Sequence, residues 1–205
     1  MKNTWNQFFE EKLKKIFDEK SNIIDIGGGL RVKKGSGNRY DPKNAWILPR
    51  MEKVRYQILD PVPDYNPDII GDIHRLPFLD ESQEAILCLA VLEHVEDPKK
   101  ACREIWRSLK KGGYALVYTP FLYYYHAEPG YYKDYWRFSE DALNFLFKDF
   151  SSREMCPVRG AISTWMHLSP LGRVPLIAGL ANLLDKISGK SKSRQVSGHY
   201  IFLVK

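Results

Sequence analysis

Long apolar runs are missing from this chain of 205 residues. No segment reaches the ~20 uninterrupted apolar residues that crossing a bilayer requires. Met1 to Lys20 mixes Lys with Glu and Asp and lacks the apolar centre of a signal peptide, which points to a cytoplasmic protein. Cysteine is scarce. Cys88, Cys102 and Cys156 are odd in number and far apart, which excludes a disulfide framework and a cysteine metal centre; they read as free thiols filling a core. No metal site is expected. Internal repeats and domain boundaries are absent too, so residues 1–205 should form one domain, burying about 70% of the surface of the unfolded chain. The net charge of +6 permits anionic partners without naming one, and the basic residues gather on no recognisable face.

What is present begins with Asn22-Ile-Ile-Asp-Ile-Gly-Gly-Gly29, an apolar run that ends in a carboxylate and three glycines. This predicts a buried strand entering a tight turn, where glycine permits positive φ and lets a ligand lie against bare backbone. Asp25 can hold the amides of that turn or meet an ammonium group. Further strands are predicted at 56–59, 69–70, 85–89, 114–119, 153–158 and 200–204. Residues 4–20 form an amphipathic helix through Trp5, Phe8, Phe9, Leu13, Ile16 and Phe17. A second helix spans 97–109, with Pro98 in its first turn and Lys110-Lys-Gly-Gly113 ending it. Ser139 caps a third, running to about Phe147. Alternating strands and helices make an α/β sandwich with a largely parallel sheet. From Leu30 to Lys53 the rhythm breaks: the stretch 33–39 is loop-like, and the usual crossover helix is short, displaced or missing.

A nicotinamide-type Gly-x-Gly-x-x-Gly is absent, since Val32 stands where its last glycine belongs. Other residues nevertheless fall where a nucleotide would meet them. Asp60 closes the second strand, where a carboxylate accepts from ribose hydroxyls. Asp72, after the third strand, can accept from an adenine amino group while the amide of Ile73 donates to the ring. Leu89-Ala-Val-Leu-Glu-His94 ends the fourth strand, at the carboxyl edge where open α/β sheets bind ligands.

Four ordered segments carry a resemblance: Ile24–Gly29, Gly71–Phe78, Val91–Pro98 and Ile105–Tyr114. Together they resemble the consecutive motifs of class I S-adenosylmethionine-dependent methyltransferases, over about residues 22–120. Thr119-Pro-Phe121, Glu128-Pro and Asp134-Tyr-Trp-Arg-Phe-Ser139 are similar to a bacterial and archaeal subgroup of the type 11 kind, often associated with surface polysaccharides. The resemblance implies a Rossmann-like sandwich: seven strands, mostly parallel with the last antiparallel, and helices on both faces. It implies S-adenosylmethionine as cofactor and S-adenosylhomocysteine as product. Asp25, Gly27, Gly28 and Gly29 would shape the methionine pocket, Asp60 would hold ribose, Asp72 and Ile73 adenine, and Leu89 and Ala90 would line the cleft. Arg31 replaces a glycine often seen in the first motif.

Methyl transfer to a hydroxyl needs a base, whereas transfer to a carboxylate does not. The base candidates are His94 and, in the aromatic segment 121–137, His126, with Asp134 beside it. Glu128, Tyr135, Trp136 and Arg137 combine stacking surface with polar tips, as suits a saccharide-type or other small ring-bearing acceptor; the bland alternative is an aromatic lid in which Arg137 pairs with Asp134 or Glu128. In the apolar segment 161–187, Leu176, Leu180, Leu183, Leu184 and Ile187 share one helical face, and a basic link to about residue 195 follows. That face either covers the sheet, makes a dimer contact or lies on the inner face of a membrane, which would fit a lipid-linked acceptor. A monomer or homodimer is expected. The rival readings are a cofactor-binding protein without transferase activity and a nucleic-acid methyltransferase. The latter has little support, because the fourth strand lacks the Asn/Asp-Pro-Pro-aromatic turn.

Overall fold

A computed structural model describes residues 3–32 and 40–205. The loop expected at 33–39 lies outside the described residues. The chain runs through helix α1 (Thr4–Glu19), strand β1 (Asn22–Ile26), a 3-10 turn (Pro42–Ile47) into the short α2 (Leu48–Met51), β2 (Arg55–Asp60), β3 (Ile69–Ile70) and β4 (Gln83–Leu89). Then come α3 (Pro98–Ser108), β5 (Leu109–Pro120), α4 (Glu140–Leu146), β6 (Ser152–Val158), α5 (Ala161–His167), α6 (Pro175–Ile187) and β7 (Gly198–Val204).

The strands form one seven-stranded sheet in the order β3-β2-β1-β4-β5-β7-β6. All are parallel except β7, which runs against both β5 and β6. Successive residues of β1 and β4 alternate between two buried clusters, as the two-residue period of a strand demands. Ile24, Ile26, Ile86 and Cys88 pack on one face with Ala101, Cys102 and Ile105 of α3 and Leu143 of α4. Ile23, Ala85 and Leu87 pack on the other with Leu13, Ile16 and Phe17 of α1. All three cysteines are buried and free. Helix starts follow their local chemistry: the side chains of Asp97 and Ser139 accept from the amides of Lys100 and Ala142.

Two expectations are corrected. Lys110–Gly113 does not trail a helix; α3 ends at Ser108, and β5 begins at once, with Leu109 already paired to Gln83. The leucine face of α6 does not cover the sheet. Leu176, Leu180, Leu183, Leu184 and Ile187 all lie exposed, and α6 packs instead on α5 through Ala181 and the buried Asp185. Asp185 Oδ1 accepts from Ile162 N, and its Oδ2 from the amide and hydroxyl of Ser163, so this acid caps α5 from across the hairpin.

Candidate active site

The carboxyl ends of β1, β2 and β4 lie side by side, and the glycine turn fills the space between them. Gly27 and Gly28 take φ of +75° and +59°. A methyl group on Gly29 would sit 2.4 Å from Leu89 O, so the turn passes against the end of β4 with no room for a side chain. Asp25 builds this cradle from beneath. It is wholly buried, with Oδ1 accepting from Gly29 N (3.2 Å) and Oδ2 from Leu30 N (3.0 Å) and the Tyr56 hydroxyl (2.5 Å). Burial pushes its carboxyl up to about 6, against the pull of those hydrogen bonds. Of its two roles, holding the turn is therefore the one the geometry favours. Arg31, at the position where the resembled family often has glycine, takes a glycine-like φ of 55°.

Asp60 is buried at the end of β2. Its Oδ1 accepts from Val62 N (2.8 Å), and no described residue donates to its other oxygen. Gly71 N donates to Asp60 O (3.1 Å), which sets the Gly71–Ile73 turn beside it. Asp72 there accepts from the amide (2.8 Å) and ring Nδ1 (2.7 Å) of His74, while Ile73 is buried. Leu89 is buried, and Ala90 breaks the strand with a left-handed φ of 57°. The glycine turn, Asp60, Ile73, Leu89 and Ala90 thus gather along one edge, with Asp72 at its outer end.

Over this edge lies the 121–137 segment. The amides of Tyr135 (2.8 Å) and Trp136 (3.1 Å) donate to Glu93 O, Trp136 Nε1 donates to Val95 O (2.8 Å), and the Tyr135 hydroxyl to Glu96 (3.1 Å). Tyr131 stacks on Tyr65, just beyond the end of β2. Arg137 clasps Asp134 through both carboxylate oxygens (2.5 and 2.7 Å), and Asp134 also accepts from His126 N (2.8 Å). Arg137 outweighs partial burial and holds Asp134 down to about 2, so Asp134 anchors the segment and does not take up a proton near neutrality. The Arg137–Asp134 pair is thus present as the lid reading expected. Glu128 closes a small bridge with Tyr132.

His94 and His126, far apart in sequence, meet edge to face with ring centroids 4.8 Å apart. Between them sits Glu93, which the sequence reading missed. Its side chain is fully buried, and neither oxygen has a hydrogen-bond partner among the described residues. Glu93 Oε1 lies 3.9 Å from His94 Nε2 and 3.7 Å from His126 Nε2. The Glu93 carboxylate, against the cost of partial burial, raises His126 above the ordinary imidazole value. An available signal was a carboxylate directly after the apolar stretch Leu89-Ala-Val-Leu92 at the end of the fourth strand, where an idle charge is costly.

The fold, with a glycine turn and a strand-end acid on its carboxyl edge, is that of class I methyltransferases. Residues 51–117 match the family described as a methyltransferase domain. Over 111 residues the chain is 28% identical to the chloroplastic 2-methyl-6-phytyl-1,4-hydroquinone methyltransferase 2 of Oryza sativa subsp. japonica, a match covering 51% of this chain and 31% of that protein. It is 33% identical over 126 residues to an uncharacterized protein of Methanocaldococcus jannaschii, covering 56% and 60% respectively. The structure is similar to that of a SAM-dependent methyltransferase from Archaeoglobus fulgidus, with a TM-score of 0.59, 12% identity and coverage of 97% and 94% of the two chains. The chain spans less than a third of the length of the rice relative.

Proposed function

We propose that this chain transfers a methyl group from S-adenosylmethionine to a hydroxyl of a small-molecule or saccharide-type acceptor. The observation that carries this reading is the convergence of the glycine cradle and the half-satisfied Asp60 carboxylate on one edge. The residues fit the cofactor. The glycine turn lies tight against Leu89 and Val91 on the same edge as Asp60, whose free oxygen suits a ribose diol. When bound, the cofactor supplies an electrophilic methyl on a sulfonium, so the protein's task is chiefly alignment and exclusion of water. The 121–137 segment overhangs that edge with Tyr123, Tyr124 and Trp136 partly exposed, and Glu93, His94 and His126 form the polar group beneath it that an acceptor hydroxyl would meet. Calorimetry with S-adenosylhomocysteine tests the first half: Asp60→Ala should weaken binding at least tenfold, about 1.4 kcal/mol. Absence of binding by the wild-type protein would end the proposal, and binding without turnover on any extract would favour a noncatalytic role.

A lipid-linked acceptor at a membrane surface is supported by the α5–α6 hairpin. Trp165, Leu176, Leu180 and Ile187 are more than half exposed, and Lys186, Lys190, Lys192 and Arg194 lie exposed around the end of α6. From residue 160 to the last residue Asp185 is the sole acid, and it is buried. The outer surface is therefore apolar and basic without an exposed carboxylate, complementary to anionic headgroups; a second copy would bring like charges together. No helix among the described residues is long and apolar enough to cross a membrane. The hairpin reaches the acceptor side, since the Tyr124 hydroxyl donates to His167 O (2.5 Å). Co-sedimentation with anionic vesicles, but not with neutral ones, is the expected result. No binding to either, with a dimer in light scattering, would assign the face to a contact between copies.

A further inference from the structure

We propose that Glu93, His94 and His126 form a binding site for a first-row divalent transition-metal cation. One ligand atom from each residue lies within 4.8 Å of the others. The tautomers follow from their neighbours. His94 Nδ1 lies 2.7 Å from Lys133 O, and a carbonyl only accepts, so Nδ1 carries the hydrogen and Nε2 the lone pair. His126 Nδ1 lies 3.0 Å from Tyr124 O and 3.2 Å from Asp134 Oδ2, again two acceptors, so in the neutral ring the lone pair is on Nε2 as well. Two imidazole lone pairs and a buried carboxylate thus face one another across a gap.

With both rings neutral such an arrangement is repulsive, and either a proton on an imidazole or a bound cation relieves it. Direct hydrogen bonds do not: 3.7 and 3.9 Å are too long for Nε2–H to Oε1. A cation accounts for the spacing better. Ligand atoms about 2.1 Å from a metal lie roughly 3 Å or slightly more apart, so side-chain shifts of up to about an ångström would close the site from its 4.8 Å span. Two neutral imidazoles with one carboxylate suit Mn²⁺, Fe²⁺, Co²⁺ or Zn²⁺ better than the oxygen-seeking Mg²⁺ or Ca²⁺. The outer partners are also those of a metal centre. Lys133 O orients one ring, and the Asp134 carboxylate, itself pinned by Arg137, orients the other. The full burial of Glu93, with both oxygens unpartnered, then has a cause.

The role of the cation rests on the methyl-transfer reading. A cation held by three protein ligands would keep positions for other ligands, and an acceptor hydroxyl taking one would become more acidic. Its proton passes to water, its oxygen takes the methyl group, and the sulfur keeps the electron pair of the broken bond.

Metal-free full-length protein should be titrated with Co²⁺, followed by visible absorption, and with Zn²⁺, followed by calorimetry. The same samples should be tested for S-adenosylhomocysteine binding. Wild type should take up one equivalent. Glu93→Gln and His126→Asn, each checked for a native circular-dichroism spectrum and a cooperative melt, should bind at least tenfold more weakly while keeping their S-adenosylhomocysteine affinity. A wild-type protein that binds S-adenosylhomocysteine but neither metal overturns the site, as do variants that bind Co²⁺ as tightly as wild type. Metal uptake without S-adenosylhomocysteine binding leaves the site standing and removes only its role in methyl transfer.

Discussion

The two ends of the candidate site are built on opposite principles. At the β1 end, the buried acid Asp25 accepts three hydrogen bonds, and the turn above it is locked against Leu89 and Val91. At the β4 end, the buried carboxylate of Glu93 accepts none from the described residues, and its imidazole neighbours stand at ion-pair distance. A satisfied buried carboxylate is part of the scaffold. An unsatisfied one raises the free energy of the fold, and the proposed cation would complete it. The glycine-turn end is thus finished by the chain itself, while the Glu93 end is the one where the proposed cation would bind.

The sharpest way to break this contrast is to place the same methyl group at both ends. Gly29→Ala drives a Cβ into the backbone of Leu89 at 2.4 Å, which neither element can relieve by turning a side chain. The expected cost is about 3 kcal/mol, at the upper end for overpacking, with loss of S-adenosylhomocysteine binding. Gly130→Ala, in the overhanging segment, has a φ of +86° but nothing within 4 Å of the added carbon. Only backbone strain of about 1 kcal/mol is expected there. Urea midpoints decide it: equal losses would mean that the turn is not locked.

Titration sharpens the same contrast. Burial raises the Asp25 carboxyl from 3.8 to about 6. A group whose folded pKa lies above its unfolded value binds its proton more tightly when folded, so its contribution to stability is largest in acid. That contribution falls as pH rises from 3.8 to about 6 and is flat above, by on the order of 3 kcal/mol in all. The stability difference between wild type and Asp25→Asn should therefore shift by this amount across that interval. A difference independent of pH would show that Asp25 titrates normally.

Glu93 should respond in the opposite sense to Asp25. In metal-free protein at neutral pH or slightly above, Glu93→Gln removes a buried, unpartnered charge at nearly constant shape. We expect it to stabilise the fold by about 1–2 kcal/mol, whereas Asp25→Asn leaves amides and a tyrosine hydroxyl poorly matched and destabilises it. A Glu93→Gln protein that melts below wild type would mean that the carboxylate is already satisfied, and the contrast would fail.

Much of this was legible in the sequence because it is written locally. The strand-to-glycine transition at Ile26, the caps at Asp97 and Ser139, and the acid closing β2 each depend on neighbours a few residues away. What was not legible depends on long-range partners. Glu93 reads as an unremarked member of a motif until the 121–137 segment folds back and sets His126 against it. Asp185 reads as a polar residue off the leucine face of α6; only the hairpin geometry turns it inward as a cap for α5. Helical periodicity placed Leu176, Leu180, Leu183, Leu184 and Ile187 on one face, and they share one. Periodicity says which side chains point together, not whether protein, lipid or water lies beyond them.

That last ambiguity sets the smallest effect. Leu176 and Leu180 are 83% and 56% exposed, so replacing both with Glu removes little packing in the isolated chain. The expected change in stability is within about 0.5 kcal/mol, unlike a change at either end of the carboxyl edge. Vesicle binding should respond far more, because each Glu puts a charge into the apolar face and cancels part of the cationic fringe at Lys186, Lys190, Lys192 and Arg194. A double variant that melts like wild type but no longer sediments with anionic vesicles separates a surface that serves a partner from one that serves the fold. If the melt drops by several kcal/mol instead, the leucines are buried in solution, and the hairpin belongs with the self-sufficient floor of the site rather than with its ligand-dependent side.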